Sequence, residues 1–228
     1  MAIPYEELKP LFREEIMRDK TAQKLYEIIA SGRGTYKTAS LYAAQVGDDI
    51  GRVLRRNGFM IDGAAWNIDE LIPQTLGYDH AMVVNACRQV QTAMNADASI
   101  GVKFQEPKFD VDRALGIVQE LRDNPEFTNI SNTFYDQLTN FSMNVADESI
   151  RANAEQLYRS GIRSMVIRQA EANCCDWCDE VAGSYDYQEV DNSGNDVWRR
   201  HENCRCTIDF ITVRNGTGYT ERVNNQKK

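Results

Sequence analysis

Apolar residues recur at helical spacing through residues 1–160, and the pattern shifts to alternation past Gly161. Between Pro4 and Ile29, the spacing of Leu11, Phe12 and Ile16 and then of Leu25, Ile28 and Ile29 predicts two helical stretches. Pro4 is tolerated in a first turn, Pro10 is placed to kink or restart the helix, Thr21 can cap the second stretch, and Gly32 and Gly34 close it. From Thr35, Tyr42, Val46, Ile50, Val53 and Leu54 share one face, and Asn57-Gly58 supplies a helix stop. The pattern then breaks: Gly63, Trp66, Pro73 and Gly77 predict a connection from Phe59 to Tyr78 with at most a short helix after Asn67. Asp79 reads as the N-cap of a helix with Val83, Cys87, Val90 and Met94 inward, which makes Cys87 a small core residue and His80 a surface or capping group.

Ile100 to Phe104 reads as a short extended piece. Asp110 begins a helix with Val111, Ala114, Leu115, Val118 and Leu121 inward, ended by Asn124-Pro125. The longest regular segment is expected from about Ser131 to Ser160, where Phe134, Leu138, Phe141 and Val145 continue through Leu157 and Tyr158 as the spine of the body, with Gly161 as terminator. Strands are expected at Ser164–Arg168, around Tyr185 and Tyr187, and at Thr207–Ile211, with Asp191–Asn195 as a polar turn-forming loop between the cysteine pair at 175 and 178 and the cluster at 201–206. The fold class is therefore α+β, mainly α: a multi-helix body over residues 1–160 and a small β-rich module over 161–228.

Composition changes the picture at the module. Five of the six cysteines and one of the two histidines fall between Asn173 and Thr207. Cys175 and Cys178 form a C-x2-C step, and His201, Cys204 and Cys206 form an H-x2-C-x-C step. Two clusters of soft ligands separated by a loop are what a tetrahedral zinc site requires, because each short step lets one turn aim two donors at a common point. The five candidates outnumber the four tetrahedral positions. C-x2-C is the commoner spacing and favours Cys175 over Cys174, while spacing alone does not choose between Cys204 and Cys206. A module this small buries little apolar surface, so a structural zinc is a sensible staple. Trp177, inside the C-x2-C step, either shields the thiolates or anchors a partner.

The chain carries 34 acidic and 26 basic residues, a formal net charge of -8, so wholesale phosphate neutralisation is not its obvious task. No charged leader followed by a long apolar run opens the sequence, and no stretch approaches the roughly 20 apolar residues that span a bilayer. A soluble chain made in a reducing compartment is expected, where clustered cysteines serve metals more often than disulfides. A catalytic zinc would keep one position open for water, and surplus thiolates argue for a closed site. Zinc deaminases place the glutamate two residues after the histidine and the C-x2-C later, whereas here Glu202 follows His201 directly and the C-x2-C comes first. No second histidine lies in the module to act as the base of a nuclease, so no enzyme is expected. A nucleic-acid role has Arg199, Arg200 and Arg205 beside the metal cluster, Trp198 for stacking and Lys227-Lys228 in its favour. Against it, 9 basic residues face 11 acidic ones from Gly161 onward.

Cys175-x2-Cys178, Gly183, and the string from His201 through Glu202, Asn203, Cys204 and Arg205 to Cys206, followed by Thr207-Ile208, resemble the C-terminal signature of the Mu F-like minor head proteins of tailed bacteriophages. The resemblance covers roughly the last third of the chain. Prolines that the family usually carries before the histidine and in the C-x2-C step are replaced here by Arg199-Arg200 and Asp176-Trp177. The resemblance implies a structural protein of the phage head, associated with the portal vertex or the capsid interior and acting in head assembly or genome delivery. It implies multiple copies contacting a portal or major capsid protein, possible contact with packaged DNA, no membrane, and assembly in the bacterial cytoplasm before incorporation in the virion.

Overall fold

A computed structural model describes residues 3–59, 66–124, 126, 130–172, 174–192, 196–201, 204–214 and 217–218. Six longer helices come first: α1 (Tyr5–Arg18), α2 (Lys20–Ala30), α3 (Tyr36–Arg56), α4 (Ile68–Asp97), α5 (Val111–Asp123) and α6 (Ser131–Arg159). They are followed by β1 (Ser164–Gln169), α7 (Asp176–Glu180), β2 (Gly183–Asp186), α8 (Tyr187–Asn192), β3 (Thr207–Arg214) and β4 (Thr217–Gly218). The strands form an antiparallel sheet in the order β2-β1-β3-β4. The fold is α+β and mainly α.

Local rules set several boundaries as expected. Thr35 and Thr38 exchange side-chain-to-backbone hydrogen bonds as a capping box at the start of α3. Gly58 and Gly161 take φ +78° and +74°, the left-handed conformation that closes α3 and α6. Asp110 caps α5 by accepting from the Arg113 N–H at 2.9 Å. The first break differs. Pro10 lies inside α1, where its ring and Glu6, whose carbonyl loses its helical partner, are both exposed, so water can serve that carbonyl. The chain breaks instead at Asp19, and this residue, not Thr21, caps α2: its carboxylate accepts from Thr21 N–H at 2.7 Å and Ala22 N–H at 2.9 Å.

The largest departure is α4. Residues 68–78, expected as a connection, are its first turns, and Asp79 is a buried residue within it, not a cap. Ile68, Leu71, Ile72, Thr75 and Leu76 form a buried stripe that runs straight on into Val83, Cys87 and Val90, so tertiary packing overrides Pro73 and Gly77. At 30 residues α4 is also longer than α6, at 29. Gly63 and Pro125 lie outside the described residues. His80 neither caps nor sits on the surface: it is half-buried, its ring edge-on to Phe109 at 5.7 Å, and burial lowers its pKa. Residues 100–104 carry no strand. Cys87 is fully buried as expected, whereas Val111, Leu115 and Tyr158 are exposed and Ile117 is buried instead.

The most extensive helix contact is between α3 and α6. It is close because α3 carries Gly47 there: a Cβ at that position would lie 2.5 Å from Ser142 Oγ and 2.7 Å from Thr139 Cα. The sheet docks on the same pair of helices. Phe210 meets Tyr36 edge-on at 6.0 Å, the Ser40 hydroxyl donates to the Ile208 carbonyl at 3.4 Å, and the buried Asp209 carboxylate faces the Tyr36 and Lys37 N–H groups at the start of α3. Val166, Tyr187, Val190, Val197, Ile208 and Phe210 join the same apolar cluster as the helical residues. Tyr187 begins α8 and does not extend the second strand. Asp191 and Asn192 end α8, and Ser193–Asn195 lie outside the described residues.

Candidate metal centre

Antiparallel pairing gathers the cysteine-bearing segments at one end of the sheet. Gln169, the last residue of β1, pairs with Thr207, the first of β3, so Cys206 arrives where the chain leaves β1. The same end holds Gly183, which opens β2 opposite Arg168. Helix α7 spans this exit and return. Cys175 is its N-cap, extended at φ -74° and ψ 161°, and Cys178 lies one turn on, so both sulfurs face the same side. A second turn forms where the Cys204 N–H donates to the His201 carbonyl at 3.2 Å, and Asn140 of α6 donates to that carbonyl at 3.1 Å.

All five predicted donors come together, in two overlapping groups that share Cys178. Cys175, Cys178 and His201 form one, and Cys178, Cys204 and Cys206 the other, with donor atoms in each group within 4.8 Å of one another. His201 Nε2 lies 3.3 Å from Cys175 Sγ and 3.0 Å from Cys178 Sγ, and Cys178 and Cys204 sulfurs are 3.8 Å apart. A tetrahedral ion with bonds near ~2.3 Å to sulfur separates its sulfurs by about 3.8 Å, so each group could hold a metal ion. Cys178, Cys204 and Cys206 are buried, His201 is half-buried and Cys175 is exposed. Burial, together with the Cys206 and Cys204 thiols, pushes the Cys178 pKa well up, which favours a neutral thiol until a cation is present. Cys174 belongs to neither group.

The surroundings engage two of the three arginines that suggested nucleic acid. Arg200 and Asp147 form a buried ion pair, each side chain 1% exposed, with Nε 2.5 Å from Oδ2 and Nη2 2.9 Å from Oδ1. Arg200 also donates to the Cys206 carbonyl at 2.7 Å and approaches Cys204 Sγ at 3.9 Å. Burial raises the Asp147 pKa and Arg200 draws it back. Arg205 binds both oxygens of Asp48 on α3, at 3.1 and 3.2 Å. Arg199 is exposed and Trp198 is half-buried, whereas Lys227-Lys228 and Glu202-Asn203 lie outside the described residues. Trp177 stands edge-on to the His201 ring at 5.6 Å and beneath the Arg168 guanidinium at 5.2 Å, the geometry of a shield over the centre.

Arg168, Asp147 and Asn140 are parts of the site that composition and spacing did not reveal. One signal was present: Arg168 falls on the inward register of β1 with Ser164 and Val166, an unusual position for a cation. No known protein family, curated protein or solved structure matches the chain.

Proposed function

We propose that this chain is a structural assembly protein of the phage minor head kind, whose C-terminal sheet is closed by one zinc ion. The observation that carries the metal part is the convergence of Cys175, Cys178, His201, Cys204 and Cys206 from two chain segments at one end of a small sheet. Zinc suits a donor set of thiolates and one imidazole, and five donors for four positions leave no site for a reactive water. The ion ties α7 to the segment before β3, and Arg200, Arg205 and Asn140 tie that segment to α3 and α6. The head-protein part rests on the resemblance of the Cys/His string. Under it, the chain joins a portal or major capsid protein in the bacterial cytoplasm and remains in the virion head.

Nucleic-acid binding is the weaker reading because Arg200 and Arg205 face carboxylates of the chain's own helices. Two experiments test the proposal. Zinc analysis of the purified chain should give one equivalent, lost in Cys178→Ser. Proteomics of purified phage particles should find the chain in the head, and its absence there with zinc present would remove the assembly role and leave the metal site standing.

A further inference from the structure

Arg168 is 2% exposed, yet among the described residues it makes no ion pair with a carboxylate. One terminal nitrogen donates to the Val197 and Arg199 carbonyls at 2.5 and 2.8 Å. The other points at two sulfurs, Cys204 at 3.6 Å and Cys178 at 3.9 Å. Among the described residues its Nε has no hydrogen-bond partner. A guanidinium taken out of water without a counter-charge costs several kcal/mol, and neutral thiols repay little of that. The Asp147 carboxylate acts on Arg168 only through space, because its oxygens are held in contact by Arg200.

We propose, resting on the zinc reading above, that Arg168 is the internal counter-ion of the metal centre and that the centre it serves carries net negative charge. The charge count follows from the ligands. A divalent ion with two thiolates and two neutral donors is neutral and gives Arg168 nothing to pair with. Three thiolates and one imidazole leave a charge of about -1, which one guanidinium balances. The contacts also choose between the two cysteines that spacing left open. Arg168 addresses Cys204 sulfur, and Arg200 approaches the same sulfur, whereas at Cys206 the arginine contact is to the backbone carbonyl. On these contacts the ligands are Cys175, Cys178, His201 and Cys204, and Cys206, which shares a group with Cys178 and Cys204, is the competing fourth donor. Arg168 is a positioning residue that balances the charge of the bound centre and, through its carbonyl contacts, holds the backbone that leads to His201.

Zinc affinity measured against a competing chelator in the full chain tests this. Arg168→Met should bind zinc on the order of 10–100-fold more weakly than the parent, as expected for loss of an outer-sphere partner, and Arg168→Lys should recover part of that loss by restoring the charge. Equal affinities for parent and Arg168→Met would overturn the proposal while leaving the zinc site intact; a parent chain that takes up no zinc would instead sink the site itself. Should Arg168→Met fail to fold, the cobalt-substituted parent decides. Three thiolates and one imidazole in its spectrum, retained in Cys206→Ser and reduced by one thiolate in Cys204→Ser, support the counter-ion; two thiolates, or two metal ions per chain, overturn it.

Discussion

Replacing Asp147 by Asn leaves the Arg200 guanidinium buried among Cys206 carbonyl, Cys204 sulfur and Met143 without the carboxylate that pairs with it. Both partners are 1% exposed and their contacts are 2.5 and 2.9 Å, so solvent cannot replace what is lost. Removing one member of such a pair costs about 3–5 kcal/mol, against total stabilities of about 5–15 kcal/mol for folded domains. For a chain of this size that is a fall in Tm of roughly 6–20 °C. Urea denaturation should move the midpoint down with the slope m unchanged. The cause is separable from simple damage by a double-mutant cycle. Asp147→Asn combined with Arg200→Met removes both charges and should be clearly more stable than Asp147→Asn alone. A single variant within ~0.5 kcal/mol of the parent, or a double variant showing the sum of the two single losses, would refute the buried-pair reasoning.

Two glycines should behave oppositely in the same denaturation assay. Gly47→Ala puts a methyl 2.7 Å from Thr139 backbone and should cost about 1–3 kcal/mol, whereas Gly77→Ala, with nothing within 4 Å of the added atom, should gain up to ~1 kcal/mol by removing a flexible residue from α4. Asp79 is fully buried with Ser142 as its hydrogen-bond donor, and burial lifts its pKa to about 8. The folded chain keeps that proton where the unfolded chain has lost it. Its contribution is therefore present below pH ~4 and is lost as pH rises to about 8, at up to about 1.4 kcal/mol per pH unit. Asp79→Asn should flatten this decline, gaining on the parent as pH rises; parallel pH curves for the two would count against a protonated Asp79. Arg205→Ala should cost under ~1 kcal/mol because its pair with Asp48 is about one-third exposed on both sides, and a larger loss would mean the contact is tighter than the exposure implies.

How much was legible in the chain depended on whether a feature answers to its neighbours in sequence. Thr35, Asn57-Gly58, Asp110 and Gly161 mark helix ends by rules that operate within a turn, and each holds. The Cys/His module was legible for the same reason, since two short spacings encode two turns. The first turns of α4 were not: Pro73 and Gly77 argue locally against a helix, and what overrides them is a buried stripe packed against distant elements. Asp79 read as a cap because nothing nearby announces Ser142, 63 residues further on. The arginines kept a nucleic-acid alternative open because their carboxylates are remote, Asp147 53 residues before Arg200 and Asp48 157 before Arg205. Arg168 could have been noticed from its register in β1, but its role needs the sulfurs from two separate segments in view.

The most direct measurement is native mass spectrometry of the purified chain before and after treatment with a strong chelator, paired with hydrogen exchange over residues 164–214. A metal-closed sheet predicts one zinc per chain, removed by the chelator together with amide protection in β1, β2 and β3, while α3 and α6 stay protected. A metal-free chain whose sheet is equally protected with and without chelator would contradict it.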